Sequence, residues 1–123
     1  MISFTIPGTP ITKKNSQRIL INSKTGKPFV KPSAAYERYQ KDAGWSIPKT
    51  WVPIDYRVNI KYLFYMPDDR RVDIANLVNS LDDILVRYGL LKDDNYKIVA
   101  AHDGTRVLID RKAPRTEVEV EAL

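Results

Sequence analysis

The chain has no cysteine, so disulfide bonds and thiolate metal sites are excluded. It also lacks any apolar run approaching the roughly 20 residues of a membrane-spanning helix. The stretch before Pro7 is too short for a signal peptide and has no basic leader. These absences predict a cytoplasmic protein. With 123 residues, 43% hydrophobic and 28% charged, the chain is predicted to form one globular domain over residues 1–123.

Positive charge is concentrated in the first part of the chain. Residues 1–51 contain nine Lys or Arg and two acids, whereas residues 52–123 contain eleven Lys or Arg and thirteen acids. A basic segment attracts polyanions such as nucleic acids, and an acidic segment can gather cations. Many small basic proteins bind nothing charged, so the charge pattern alone leaves both alternatives open.

Hydrophobic periodicity and turn residues predict seven strands and two helices. The longest strand runs from Tyr56 to Met66 with a period of two, and Ser33 and Asp73 are suited to cap the two helices. The second helix is expected to turn Ile74 inward and to stop at Gly89. The other elements are predicted at residues 2–6, 19–21, 29–30, 34–43, 96–101, 107–109 and 116–122. The order β-ββ-α-β-α-βββ indicates an α+β fold, a mixed sheet with both helices on one face.

A polar stripe on the second predicted helix holds the candidate catalytic residues. Hard divalent cations such as Mg²⁺ take one or two carboxylates together with water and substrate phosphate. Arginine side chains bind a phosphodiester in a bidentate manner, so Arg70 and Arg71 just upstream are candidates for that role. The acids and amides of the stripe and of the following loop are Asp73, Asn76, Asn79 or Ser80, Asp83, Asp93 and Asp94.

Each of these residues also has a purely structural explanation. An Asp at an N-cap is commonly only a cap, and a Lys-Asp-Asp-Asn segment such as 92–95 is a common turn. Asp83 lies where a solvated helix face is expected. The single histidine, His102, precedes a turn glycine and is predicted to be structural or exposed. Spacing alone therefore leaves catalysis and structure as open alternatives.

The segment 66–77, MPDDRRVDIANL, resembles the signature of the RusA-type endodeoxyribonucleases. The helix ending near Gly89 and the segment 91–94, LKDD, follow in that family's order without gaps, and the opening segment 4–8, FTIPG, is also similar. Family members are small, dimeric, Mg²⁺-dependent enzymes, often carried by prophages, that nick four-way DNA junctions. The resemblance therefore implies a Holliday-junction resolvase of recombination and repair, with a homodimer, branched DNA and Mg²⁺ as its partners.

The resemblance also implies roles for individual residues. The family's first aspartate falls on Asp73, its asparagine on Asn76, and its late catalytic aspartate on Asp94, beside Asp93. Asp73, Asp94 and Asp83 are the expected metal ligands, and twofold symmetry would give a junction two matched sites. The residues expected to bind phosphate or DNA are Arg70, Arg71, Lys13, Lys14, Asn15 and Arg18.

Two positions depart from the family pattern. Ala75 stands where the family has a second aspartate, and Asn79 stands where it has a lysine. Asn76 or Asp83 is a candidate replacement ligand, and Lys92 or Lys97 a candidate replacement cation. Two alternatives stay open beside an active resolvase. One is a catalytically weakened or inactive branched-DNA-binding module of the same family, and the other is a small basic RNA-binding protein, which is disfavoured because no aromatic RNA-binding motif is present.

Overall fold

The computed structural model describes residues 1–13 and 17–123. Within these residues, seven strands and two helices follow one another in the predicted order. Their bounds are β1 Ile2–Pro7, β2 Gln17–Ile21, β3 Pro28–Pro32, α1 Ala34–Gly44, β4 Val58–Met66, α2 Ile74–Arg87, β5 Val99–Ala101, β6 Arg106–Ile109 and β7 Arg115–Ala122.

A mixed sheet organises the domain, and β4 is its central strand. Strand β7 lies between β1 and β4 and is antiparallel to both. The other edge of β4 pairs in parallel with β5 near Val58 and with β6 from Leu63 to Met66. Strands β2 and β3 form a separate antiparallel hairpin. The predicted α+β class with a mixed sheet is therefore confirmed.

Alternation along β4 places the core on one side of the sheet. Its residues are buried and partly exposed in turn, and the inward set is Val58, Ile60, Tyr62, Phe64 and Met66. This inward face shares one hydrophobic cluster with both helices. A strand with side chains alternating between two faces needs only one covered face, so the sheet's opposite face is left partly exposed. The predicted placement of both helices on one face is confirmed.

Helix α1 begins and packs as its sequence indicates. The Ser33 side chain caps it by accepting a hydrogen bond from the Tyr36 backbone N–H at 3.1 Å. Tyr36, Tyr39 and Ala43 are buried on its inner side. Gly44 then lies against Tyr88 at the end of α2, where a β-carbon would come within 2.5 Å of the ring. Glycine is therefore needed for the two helix ends to approach this closely.

Helix α2 has both of the predicted end signals. Asp73 is its N-cap, and its carboxylate accepts a hydrogen bond from the Ala75 backbone N–H at 2.9 Å. Gly89 ends it with a left-handed φ of 82°. Leu77, Leu81, Ile84 and Leu85 are all completely buried. No helix in the described part of the chain is long and apolar enough to cross a membrane.

Three local predictions were wrong. Tyr56 is 53% exposed and precedes β4, because pairing with β7 starts only where Val58 meets Ala122. Ile74 is 44% exposed, since it sits in the first turn of α2 beyond the sheet core. The strand expected at residues 96–101 starts at Val99, because the Asn95 carbonyl accepts hydrogen bonds from the two N–H groups of Ile98 and Val99 and holds a turn there.

Candidate functional site

The beginning of α2 carries the first group of candidate residues, which we call the N-terminal patch: Arg71, Asp73 and Asn76. With Val72, these residues line an open depression of about 480 Å³. One Asp73 oxygen, Oδ1, accepts the capping hydrogen bond from Ala75. Ala75 and Asn79 are both exposed near this patch. The local sequence thus places an arginine, a carboxylate and an amide around one accessible surface.

Arg70, the other candidate phosphate-binding arginine, is engaged elsewhere. Its Nε and Nη2 donate to the two carboxylate oxygens of Asp68 at 2.8 and 2.9 Å. The Asp68 carboxylate also accepts the Arg70 backbone N–H, and together these hydrogen bonds lower the pKa of Asp68 to about 2. Asp68 is therefore ionised at neutral pH, and it competes with any phosphate for the Arg70 guanidinium.

Further along α2 and in the loop that follows it, two carboxylates form what we call the acidic pair, Asp83 on the helix and Asp94 in the loop. Partial desolvation, a side-chain contact with Asp93 and the charge of Asp83 together raise the pKa of Asp94. A nearby like charge disfavours the ionised form of a carboxylate, and a bound cation would relieve that repulsion. Asp93 accepts from the Asp94 backbone N–H at 2.7 Å and from the Asn95 amide at 3.1 Å. Both carboxylate oxygens of Asp93 therefore stabilise the turn that contains Asp94.

Asp73 in the N-terminal patch and Asp83 in the acidic pair lie far apart within one chain. Asp73 and Asp83 are ten positions apart along α2, which at 1.5 Å per residue separates them by about 15 Å. Within residues 1–13 and 17–123, no group of three or more acidic, histidine or cysteine side chains is close enough to hold one metal ion. Helix length therefore keeps Asp73 apart from Asp83 in the single chain.

A buried polar network, which the sequence analysis missed, links α2 to the sheet. The carboxylate of Asp82 is 6% exposed and accepts a hydrogen bond from the Tyr62 hydroxyl at 2.6 Å. Its other oxygen lies 3.0 Å from His102 Nε2, and His102 Nδ1 lies 2.9 Å from the Ile60 carbonyl oxygen. Both ring nitrogens therefore face acceptors, the arrangement that suits a doubly protonated imidazolium.

The charge balance of this network agrees with its geometry. Burial lowers the pKa of His102, but the hydrogen bond and charge of Asp82 and the Ile60 carbonyl outweigh burial, so the pKa is raised. Burial, followed by the charge of Asp82, raises the pKa of Tyr62 well above its ordinary value. Tyr62 thus remains a donor, and the network fixes the turn of α2 that also carries Asp83. The prediction of a structural role for His102 agrees with this arrangement.

Several of the described basic residues of the N-terminal half lie around the hairpin and α1. The Lys13 backbone N–H donates to the Ser80 hydroxyl on α2 at 3.0 Å, which explains why Ser80 is buried while Asn79 occupies the polar stripe. Arg18 forms an ion pair with Glu37 at 3.7 Å. Lys92 and Lys97 are exposed on either side of Asp94. Lys14 and Asn15, which the sequence also predicts to bind phosphate or DNA, lie outside the described residues.

Comparison with known proteins identifies relatives of this chain. The family model described as endodeoxyribonuclease RusA matches residues 7–121. A curated protein, the crossover junction endodeoxyribonuclease RusA of Aquifex aeolicus (strain VF5), is 30% identical over 88 residues. That alignment covers 70% of this chain and 66% of the relative, so the chain spans slightly less than two thirds of that protein's length.

Proposed function

The chain belongs to the RusA family of endodeoxyribonucleases, and we propose that it cleaves four-way (Holliday) DNA junctions with Mg²⁺ in recombination and repair. The observation that carries this proposal is the family match over residues 7–121. The carboxylates exposed around α2 supply the oxygen ligands that this chemistry needs, and the basic N-terminal half supplies attraction for DNA.

The residues present suit a hard divalent cation. Desolvation, a side-chain contact with Asp93 and the charge of Asp83 raise the pKa of Asp94, and a cation would relieve the repulsion from Asp83. One or two carboxylates plus substrate phosphate and water are a common Mg²⁺ ligand set. When bound, the ion would polarise the phosphodiester and lower the pKa of an attacking water. Arg71, which lines the same depression as Asp73, would hold a phosphate oxygen, and Asn76 would donate a hydrogen bond there.

A homodimer reconciles the separation of Asp73 from the acidic pair with a role for all three aspartates. In a twofold dimer whose α2 helices run antiparallel beside each other, Asp73 of one protomer comes near Asp83 and Asp94 of the other. Each of the two sites is then composite, with its ligands drawn from both chains. The twofold axis also relates the two sites in the way that a four-way junction requires for paired nicks.

A second candidate function is a branched-DNA-binding module of the same family with weakened or absent catalysis. The observation that favours it is chemical: Ala75 and Asn79, both exposed on α2, provide neither the carboxylate nor the ammonium group that family members have there. Such a module would keep the basic surface and the fold, and would differ from the enzyme only in the rate of cleavage.

A cleavage assay on a synthetic four-way junction tests the proposal and separates the two candidates. The nuclease should produce paired nicks with Mg²⁺, no product with EDTA, and little product from linear duplex of the same length. Gel shifts without Mg²⁺ should show tighter binding to the junction than to the duplex, with affinity falling steeply as salt rises. Tight junction binding without cleavage would favour the binding module, and equal binding to both DNAs would contradict junction recognition.

Releasing Arg70 from its intramolecular partner should strengthen DNA binding. Asp68→Asn removes the charge that holds the guanidinium in its bidentate pair, and Arg70 then becomes available to a backbone phosphate. We expect junction affinity to rise by about three- to tenfold and the salt dependence to steepen, because one more phosphate contact releases one more counterion. The double variant Asp68→Asn/Arg70→Ala is the control, and an equal gain in that variant would show that Arg70 is not responsible.

A further inference from the structure

A basic pocket between the hairpin, α1 and the end of α2 contains none of the residues of the N-terminal patch or the acidic pair. It has a volume of about 570 Å³ and is open to solvent on one side. Among the described residues, four cationic side chains and one acid, Glu37, line it. The cations are Lys13, Lys31, Lys41 and Arg87. We call this cavity the basic pocket.

The charge of the basic pocket is available for a ligand. Glu37, the carboxylate that lines the pocket in the described part of the chain, forms ion pairs with Lys31 at 3.5 Å and with Arg18 at 3.7 Å. Across the part of the chain that the structure describes, Lys13, Lys41 and Arg87 form no ion pair. A concave surface lined with uncompensated cations focuses a positive potential, and such a surface attracts anions.

The position of the basic pocket relates it to the acidic pair. Arg87 lies four residues after Asp83 on α2, one turn further on the same side and about 6 Å along the axis. Tyr36 lines the pocket, and its pKa responds to the charges of both Asp83 and Arg87. Burial and then the charge of Asp83 raise the pKa of Tyr36 to about 12, whereas the charge of Arg87 acts to lower it. The hydrogen bond from the Lys13 backbone N–H to the Ser80 hydroxyl attaches the segment that follows β1 to this same part of α2.

We propose that the basic pocket binds a DNA backbone phosphate close to the phosphodiester that occupies the site at Asp83 and Asp94. This inference rests on the proposed function and adds a subsite to it. The spacing of about 6 Å along α2 corresponds to one or two nucleotides of a DNA strand, whose axial rise is about 3.4 Å per nucleotide. Lys41 and Arg87 hold the phosphate by charge, so the subsite fixes the strand's position without reading its sequence.

Substitutions at the basic pocket, measured with the full-length protein in EDTA, test the subsite independently of cleavage. Lys41→Ala/Arg87→Ala should weaken junction binding about tenfold at 150 mM salt and reduce the slope of log affinity against log salt by about one. Glu37→Gln should act in the opposite direction, strengthening binding about two- to fivefold by releasing Arg18 and Lys31. Lys49→Ala is the matched control, because Lys49 is an exposed lysine beside Trp51 and not in the basic pocket.

The outcomes separate the subsite from the proposed function. Weaker binding of the double variant, tighter binding of Glu37→Gln and wild-type behaviour of Lys49→Ala would support the subsite. Wild-type affinity and salt slope in both pocket variants would overturn it, while leaving junction binding and cleavage by the wild-type protein intact. Failure of the wild-type protein to bind any DNA would contradict the proposed function, and the subsite with it. Because the substituted side chains are exposed or partly exposed, thermal melts should show unchanged folding.

Discussion

Asp73→Asn and Asp94→Asn should each reduce Mg²⁺-dependent cleavage of four-way junctions by at least about 100-fold, without weakening junction binding. Asparagine keeps the shape of the side chain but removes the charge that would hold the cation. It also caps helices as well as aspartate does, so Asp73→Asn preserves the start of α2. At Asp94 the substitution relieves repulsion by Asp83 and Asp93, so the fold is again preserved.

Cleavage rates and binding must be measured separately for this prediction. Initial rates come from a labelled junction with Mg²⁺, and affinities come from gel shifts in EDTA, where removal of a negative charge should leave binding equal or tighter. Asp103→Asn is the matched control, since Asp103 is an exposed aspartate near Lys61 and Glu119 on the sheet face opposite the helices. Unchanged cleavage in both site variants would show that the active centre lies elsewhere.

Breaking the buried network between α2 and the sheet should give the largest loss of stability. Asp82→Ala or His102→Ala is expected to lower the free energy of unfolding by about 2–4 kcal/mol. Removing Asp82 leaves the completely buried Tyr62 without its hydrogen-bond acceptor, and leaves His102 without its counterion. Urea denaturation at constant pH measures the loss. The free energy of unfolding lost in the double variant should be at least about 1 kcal/mol smaller than the sum of the losses in the two single variants, because Asp82 and His102 interact directly.

The contribution of His102 should also depend on pH in a defined direction. Its pKa is raised above 6.5 in the folded protein, so the folded state binds the proton more tightly than the unfolded state. The resulting stabilisation is fully present below the unfolded pKa and is lost as the pH rises through the folded pKa. The stability difference between wild type and His102→Gln should therefore be greatest near pH 6 and shrink toward about pH 9. A difference that grows with pH would contradict the assignment of a charged His102.

The elements of this fold were predictable where one local signal dominated. β4 alternates strictly between buried and partly exposed residues, and that period of two is visible in the sequence. Ser33, Asp73 and Gly89 mark helix ends by chemistry that acts within a few residues. The prediction at Tyr56 was wrong because the start of β4 depends on its pairing with β7, a strand far away in the chain. The prediction at Ile74 was wrong because how much of α2 the sheet covers is also set by residues far away in the chain.

The site was less predictable, since it depends on contacts between distant segments. Asp82 reads as one more polar residue of a helix, and only the packing of α2 on β4 brings it to Tyr62 and His102. The bidentate pair of Arg70 with Asp68 is local, and the spacing of two residues was an available signal. The distance between Asp73 and Asp83 was also available, because ten helical residues cannot span less than about 15 Å.

Subunit mixing tests the composite active site most directly. The Asp73→Asn and Asp94→Asn proteins, each inactive alone, are unfolded together and refolded so that their subunits exchange. If each site takes Asp73 from one chain and Asp94 from the other, a mixed dimer has one doubly substituted site and one intact site. The mixture should then recover about a quarter of the wild-type nicking rate, with single nicks rather than paired ones. No recovery above the two separate variants, in samples shown to contain mixed dimers, would contradict the composite site.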